Sequence, residues 1–165
     1  MIIYTDGACS GNGSAAAVGG FGVVILDDDE NYIASYRKDC KGTTNNREEL
    51  KAILYAQLKY GKSESTPIVY SDSAYAVNTL TTWMWSWARN GWIKSDNRPP
   101  ENLDIIKPFY EFWNKGYRVD LRKCAGHKGV IWNEVADRLA VGDVEKADKM
   151  INKMIKEKTN ECESI

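Results

Sequence analysis

Apolar and polar residues alternate from the start of the chain. Ile2, Tyr4 and Asp6 fall on one side of a strand over residues 1–9 (MIIYTDGAC), so a carboxylate takes a place that the pattern otherwise gives to the core. Such a group is costly to bury without a partner; followed by Gly7, it also reads as a turn residue. Two more apolar runs predict strands over 19–27 (GGFGVVILD) and 32–39 (YIASYRKD), joined as an antiparallel hairpin by the acidic turn 27–31. A helix is expected from the capping residues Asn45 and Asn46 to Tyr60, ending before Gly61, with Leu50, Ile53, Leu54 and Leu58 as its apolar stripe. Glu49 flanks that stripe and can face the sheet, whereas Glu48 projects away from it. Both acids also suit the positive end of a helix.

The run 67–72 (PIVYSD) predicts a short buried strand ending in a second carboxylate, Asp72, with a helix over 73–80 directly behind it. Ligand sites in open α/β sheets tend to lie at such strand ends. Residues 82–92 (TWMWSWARNGW) hold four tryptophans. They fit a packed aromatic core or, with Arg89, Lys94 and Arg98, a nucleic-acid surface. A helix over 102–113, a strand over 117–124 (YRVDLRKC) and a loop over 125–129 (AGHKG) follow. The next helix places Val135, Leu139 and Ala140 on one face and Asp137 on its flank, where periodicity alone makes Asp137 a solvated residue. A last amphipathic helix is expected over 143–158, with Ala147, Ile151, Met154 and Ile155 on one side. This order predicts an α/β protein with one mixed sheet and helices around it.

Composition narrows the function classes. The 165 residues suit one domain, and 43% hydrophobic with 27% charged residues describes an ordinary globular protein. No apolar run approaches the ~20 residues needed to cross a membrane, and the N-terminus has no basic leader. Cys9, Cys40, Cys124 and Cys162 form no CxxC pair, and His127 is the single histidine, so no zinc framework arises. Free thiols point to a reducing, cytoplasmic setting. With a net charge of −1, any nucleic-acid contact must come from a local patch. Residues 10–17 contain no GxGxxG fingerprint that would signal a dinucleotide site.

Taken together, residues 4–12 (YTDGACSGN), 43–50 (TTNNREEL), 70–73 (YSDS), the tryptophan-rich insert, 125–127 (AGH) and 133–139 (NEVADRL) resemble the cellular type-1 ribonuclease H family. The resemblance spans about residues 1–142. It implies a ribonuclease H-like fold: a five-stranded mixed sheet with the second strand antiparallel, flanked by helices. Residues 1–142 would form the catalytic domain and 143–165 a C-terminal helical extension packed on it or frayed. The implied activity is endonucleolytic hydrolysis of the RNA strand of an RNA–DNA hybrid, leaving 3′-hydroxyl and 5′-phosphate ends. Asp6, Glu49, Asp72 and Asp137 would be the catalytic carboxylates and metal ligands, with His127 assisting proton transfer or product release. Clustered carboxylates repel one another, which Mg²⁺ (or Mn²⁺) relieves, and two ions can serve the attacking water and the leaving oxygen.

For substrate, the resemblance implies that Cys9, Asn12, Asn45 and Asn46 read RNA 2′-hydroxyls in the minor groove. Thr44, Arg47 and Asn102 would hold a DNA phosphate, and Trp83, Trp87, Trp92 and Lys94 would form a handle on the DNA strand. A monomer is expected. Ala74 stands where some relatives carry a glutamine that touches RNA, and the loop over 13–20 is longer than usual. A transposase or integrase of the same superfold would need differently spaced acids and further domains. The start at Met1 favours a free-standing protein over a reverse transcriptase fragment. A catalytically inactive hybrid-binding module would be expected to have lost an acid. The handle's cations number three, fewer than in lysine-rich bacterial relatives. The slope of log affinity for hybrid against log salt should therefore be shallower than theirs, by roughly one unit per missing phosphate contact; a slope equally steep would refute this.

Overall fold

The structure is a computed structural model that describes residues 1–126 and 130–165. Its elements in chain order are β1 (Ile2–Ser10), β2 (Val18–Leu26), β3 (Tyr32–Lys41), α1 (Asn45–Tyr60), β4 (Ile68–Ser71), α2 (Ala74–Asn78), a π-helical turn (Thr79–Trp83), α3 (Met84–Arg89), α4 (Leu103–Asn114), β5 (Asp120–Lys123), α5 (Ile131–Ala140) and α6 (Val144–Glu163). The five strands lie in the order β3-β2-β1-β4-β5. β2 runs antiparallel to β1 and β3, while β4 runs parallel to β1 and β5 parallel to β4. This is the expected mixed sheet with its second strand reversed.

Two apolar layers cover the sheet. On one face Ile3, Val23, Ile25 and Val69 meet Leu50 and Ile53 of α1, Leu80 and Met84, and Ile106 and Phe109 of α4. On the other, Tyr4, Val24 and Leu26 meet Trp132, Val135 and Leu139 of α5 and Ala147 and Ile151 of α6. Each strand feeds both layers because successive side chains point to opposite faces. Buried Gln57 ties α1 to its neighbours, donating to the carbonyls of Phe109 (2.9 Å) and Tyr117 (3.3 Å).

Several expectations shift in detail. The helix after Asp72 does not stop at Leu80 but runs through the π-helical turn to Arg89, because the apolar residues Leu80 and Met84 continue its buried side. Leu58 and Ile155 are exposed although each sits on a predicted apolar stripe; the buried face of α1 runs instead through Ile53, Ala56 and Gln57, and that of α6 through Ala147, Ile151 and Met154. The last strand is shorter than expected, and α6 extends to Glu163. The tryptophans divide between both readings. Trp85 packs edge-on against Tyr110 and Trp113 and Trp92 against Tyr110, whereas Trp83 is exposed.

α5 lies close on β2 because that strand lacks side chains where they meet: a Cβ on Gly22 would stand 2.4 Å from the Ala136 carbonyl oxygen and 2.7 Å from the Leu139 Cβ. Gly22→Ala should therefore push α5 off the sheet and lower unfolding free energy by about 1–3 kcal/mol, as overpacking does, measured as a lower urea midpoint at unchanged m-value.

Candidate active site

Parallel pairing sets the site's origin. Thr5 of β1 lies opposite Ser71, the last residue of β4, so Asp72 leaves β4 beside Asp6, which sits midway along β1 just past that pairing. The third acid comes from α1, whose N-terminus rests on Gly7. A Cβ there would stand 2.3 Å from the Glu49 amide nitrogen, so only glycine lets the first turn sit close enough to deliver Glu49. Thr44 starts that turn by accepting a hydrogen bond from the Arg47 amide. Asp6, Glu49 and Asp72 each offer one oxygen within 4.8 Å of the others.

These acids sit in a poor setting for bare charge. Asp6 is 2% exposed and Glu49 8%. Asp6 Oδ2 and Glu49 Oε2 are buried, and neither has a hydrogen-bond partner among the described residues. Burial first, then the neighbouring Glu49, Asp72 and Asp137, drives the Asp6 carboxyl far above the usual carboxylate range. Burial likewise pushes Glu49 up, reinforced by Asp72 and Asp137 and opposed by hydrogen bonds with Asp6 and the Gly7 amide. The buried Asn133 amide donates to Asp72 Oδ2 at 3.4 Å, a contact that only the packing of α5 against the sheet reveals.

Asp137 is set apart from the other three. Its side chain is 16% exposed, so it is not the solvated residue that periodicity gives, and its charge reaches both Asp6 and Glu49. It lies outside the group gathered within 4.8 Å and is paired with Arg138 at 2.6 Å. Glu48 corrects the helical-wheel reading. It is fully buried, accepting from the Thr43 hydroxyl (2.8 Å) and Lys51 (2.6 Å), because the loop before α1 folds over it. His127 lies outside the described residues.

The residues expected to meet substrate form three groups. Asn12 accepts from the Asn45 amide at 2.8 Å and the Cys9 thiol donates to the Thr43 carbonyl at 3.4 Å, so the loop after β1 adjoins the start of α1, where Asn45 and Asn46 are exposed. Arg47 donates to Asn102 at 3.3 Å, which brings Thr44, Arg47 and Asn102 together. Asp104, which the sequence pattern does not single out, grips the same guanidinium through two hydrogen bonds of 3.0 and 2.8 Å. Further along, Trp83 and Trp87 form a tilted pair 6.3 Å apart, while Lys94 faces Asp96 at 3.7 Å.

Comparison with known proteins shows the family. The family model for RNase H matches residues 1–145. The ribonuclease H of Syntrophomonas wolfei is 43% identical over 143 residues, covering 85% of this chain and 92% of its own. The chain belongs to the RNase H family. Among solved structures, LC9-RNase H1, described as a type 1 RNase H with the type 2 active-site motif, is similar with a TM-score of 0.69 at 29% identity, over 85% of this chain and 69% of its own. LC11-RNase H1, solved in complex with RNA/DNA hybrid, shares the fold at a TM-score of 0.63 and 24% identity, over 88% and 97% of the two chains.

As an RNase H-type nuclease, the protein is a hydrolase whose acid cluster suits divalent cations. The donors are all hard oxygens, and the two orphaned buried oxygens are where cations would meet them. No helix among the described residues is long and apolar enough to cross a membrane. Because Asp6 and Glu49 are raised in the metal-free fold, the folded chain holds protons that the unfolded chain has lost above pH ~4. Their contribution to stability is thus present at or below that pH and lost as pH rises toward the folded values. In EDTA, Asp6→Asn should relieve this repulsion and raise unfolding free energy at pH 8 by about 1–3 kcal/mol, with a smaller gain at pH 5; denaturant melts at the two pH values test it.

Proposed function

We propose that the chain is an endoribonuclease that hydrolyses the RNA strand of RNA–DNA hybrids by a two-metal-ion mechanism, leaving 3′-hydroxyl and 5′-phosphate ends. The convergence of Asp6, Glu49 and Asp72, with unsatisfied buried oxygens, in a member of the RNase H family carries this reading. Asp6, Glu49, Asp72 and Asp137 would hold two Mg²⁺ ions, with Mn²⁺ an able substitute for the same oxygen donors. Bound there, the ions supply Lewis acidity toward the attacking water and the leaving 3′-oxygen.

The chain's own residues do the rest. Asp6, Glu49 and Asp72 form the core of the cluster, and Asn133 steadies Asp72. Asn12, Asn45 and Asn46, with Cys9, lie where polar groups beside the acids can meet 2′-hydroxyls of an RNA strand in a shallow minor groove. Thr44, Arg47 and Asn102 take a phosphate of the other strand, for which Arg47 must exchange part of its fork with Asp104. Trp83 and Trp87, with Lys94, extend that contact as a stacking and charged handle, while Trp92 packs on Tyr110. His127 assists proton transfer or product release. The catalytic unit is residues 1–142, acting as a monomer in the cytoplasm, with residues 143–165 packed on it through α6.

Labelled hybrid incubated with Mg²⁺ should be cut in the RNA strand only, and EDTA should leave it intact. Asp6→Asn, Glu49→Gln and Asp72→Asn should each lower the cleavage rate on the order of 10²-fold or more, the loss expected when charge stabilisation is removed from a transition state. RNA left whole in Mg²⁺ and Mn²⁺ alike would leave only a hybrid-binding module.

A further inference from the structure

Arg138 stands between two acids that belong to different parts of the molecule. Its guanidinium is 2.6 Å from Asp137, on the active-site side of α5, and 4.0 Å from Asp143. Asp143 is the N-cap of α6, accepting from the Lys146 amide at 3.2 Å, while its own amide donates to the Arg138 carbonyl at 2.9 Å. The turn from α5 to α6 is therefore closed around this arginine. An open cavity of about 380 Å³, lined by Glu134, Asp137, Arg138, Lys146 and Met150, adjoins the guanidinium. The ion pair with Asp137 is the shorter contact, and it coincides with Asp137 being the family-pattern acid left outside the group formed by Asp6, Glu49 and Asp72.

We infer that Arg138 is a positioning residue that competes with divalent cations for Asp137, and that Asp143 is the acceptor that receives the guanidinium when a cation takes its place. The inference rests on the proposed role of Asp137 as a metal ligand. One carboxylate oxygen cannot serve a guanidinium and a cation equally well, and two cations held side by side repel. Loading the site thus requires the arginine to swing from Asp137 toward Asp143, and α6, which supplies Asp143 as its cap, becomes part of the metal equilibrium. The C-terminal helix, whose sequence gives no hint of catalysis, thereby fixes the resting place of the displaced charge.

Calorimetric titration of the full chain with Mn²⁺, without substrate, tests this directly. Arg138→Gln removes the competitor and should tighten the weaker binding step roughly two- to fivefold, the range that a partly exposed ion pair of up to ~1 kcal/mol can supply. Asp143→Asn removes the alternative acceptor and should weaken the same step by a similar factor. Because removal of any nearby negative charge could weaken cation binding through space, the double variant decides. In the Arg138→Gln background the effect of Asp143→Asn should vanish, since the two act as one unit. An undiminished Asp143→Asn effect in that background, or an Arg138→Gln chain that binds Mn²⁺ no more tightly, overturns the inference. If Arg138→Gln does not fold, Arg138→Lys, which keeps the charge but loses the fork, should tighten binding to a lesser degree, and no change overturns it equally. Absence of Mn²⁺ binding by the unaltered chain would instead strike the proposed function itself.

Discussion

The constraint on which the structure turns is electrostatic: three carboxylates are gathered within 4.8 Å where β4 ends beside β1, two of them almost wholly buried. Like charges at that distance in a water-poor setting oppose one another, and folding brings them there only because the surrounding framework outweighs the repulsion. That framework is specific. Parallel pairing of β1 with β4 aligns Asp6 with Asp72, and the bare Cα of Gly7 admits the first turn of α1. The apolar layers on both faces hold α1 and α5 against the strands that carry the acids. Stability is given up locally at the place where chemistry is needed, a common feature of active sites.

Around this cluster the positive groups are placed at one remove. Arg47 is held by Asp104, Arg138 by Asp137, Lys51 by Glu48 and Lys94 by Asp96. With a net charge of −1, a polyanion that engaged Arg47, Lys94 or Arg138 would have to displace the acid that each of them holds. In the function proposed above, such an exchange close to the acids, as at Arg138, would bear on cation loading, and one further away, as at Arg47, on the grip on a nucleic-acid backbone.

Much of the site was legible in the chain. Asp6 in a core register and Asp72 at the end of an apolar run are visible from period-two alternation, and Glu49 from its place beside Leu50 and Ile53, because these patterns encode which side of an element faces the sheet. Asp137 escaped that logic: it sits on the flank of its helix, and only the family motif marked it. Glu48 shows the converse failure. The helical wheel describes α1 alone, and it cannot see the loop with Thr43 closing over the outward side. Asn133 and Arg138 lay within a recognised motif, but their partners Asp72 and Asp143 come from other elements.

Element order, fold class and the four acids of the family pattern are written in the chain itself, because periodicity, caps and a dense set of short motifs are local properties of neighbouring residues. Which acids meet, which arginine holds the fourth, and that the helix 144–163 is tied to the site through its cap emerge only from the folded molecule. Those facts depend on distances between segments that lie apart in the chain. They are set by strand register, by glycines that permit close approach at Gly7 and Gly22, and by the packing of α5 and α6.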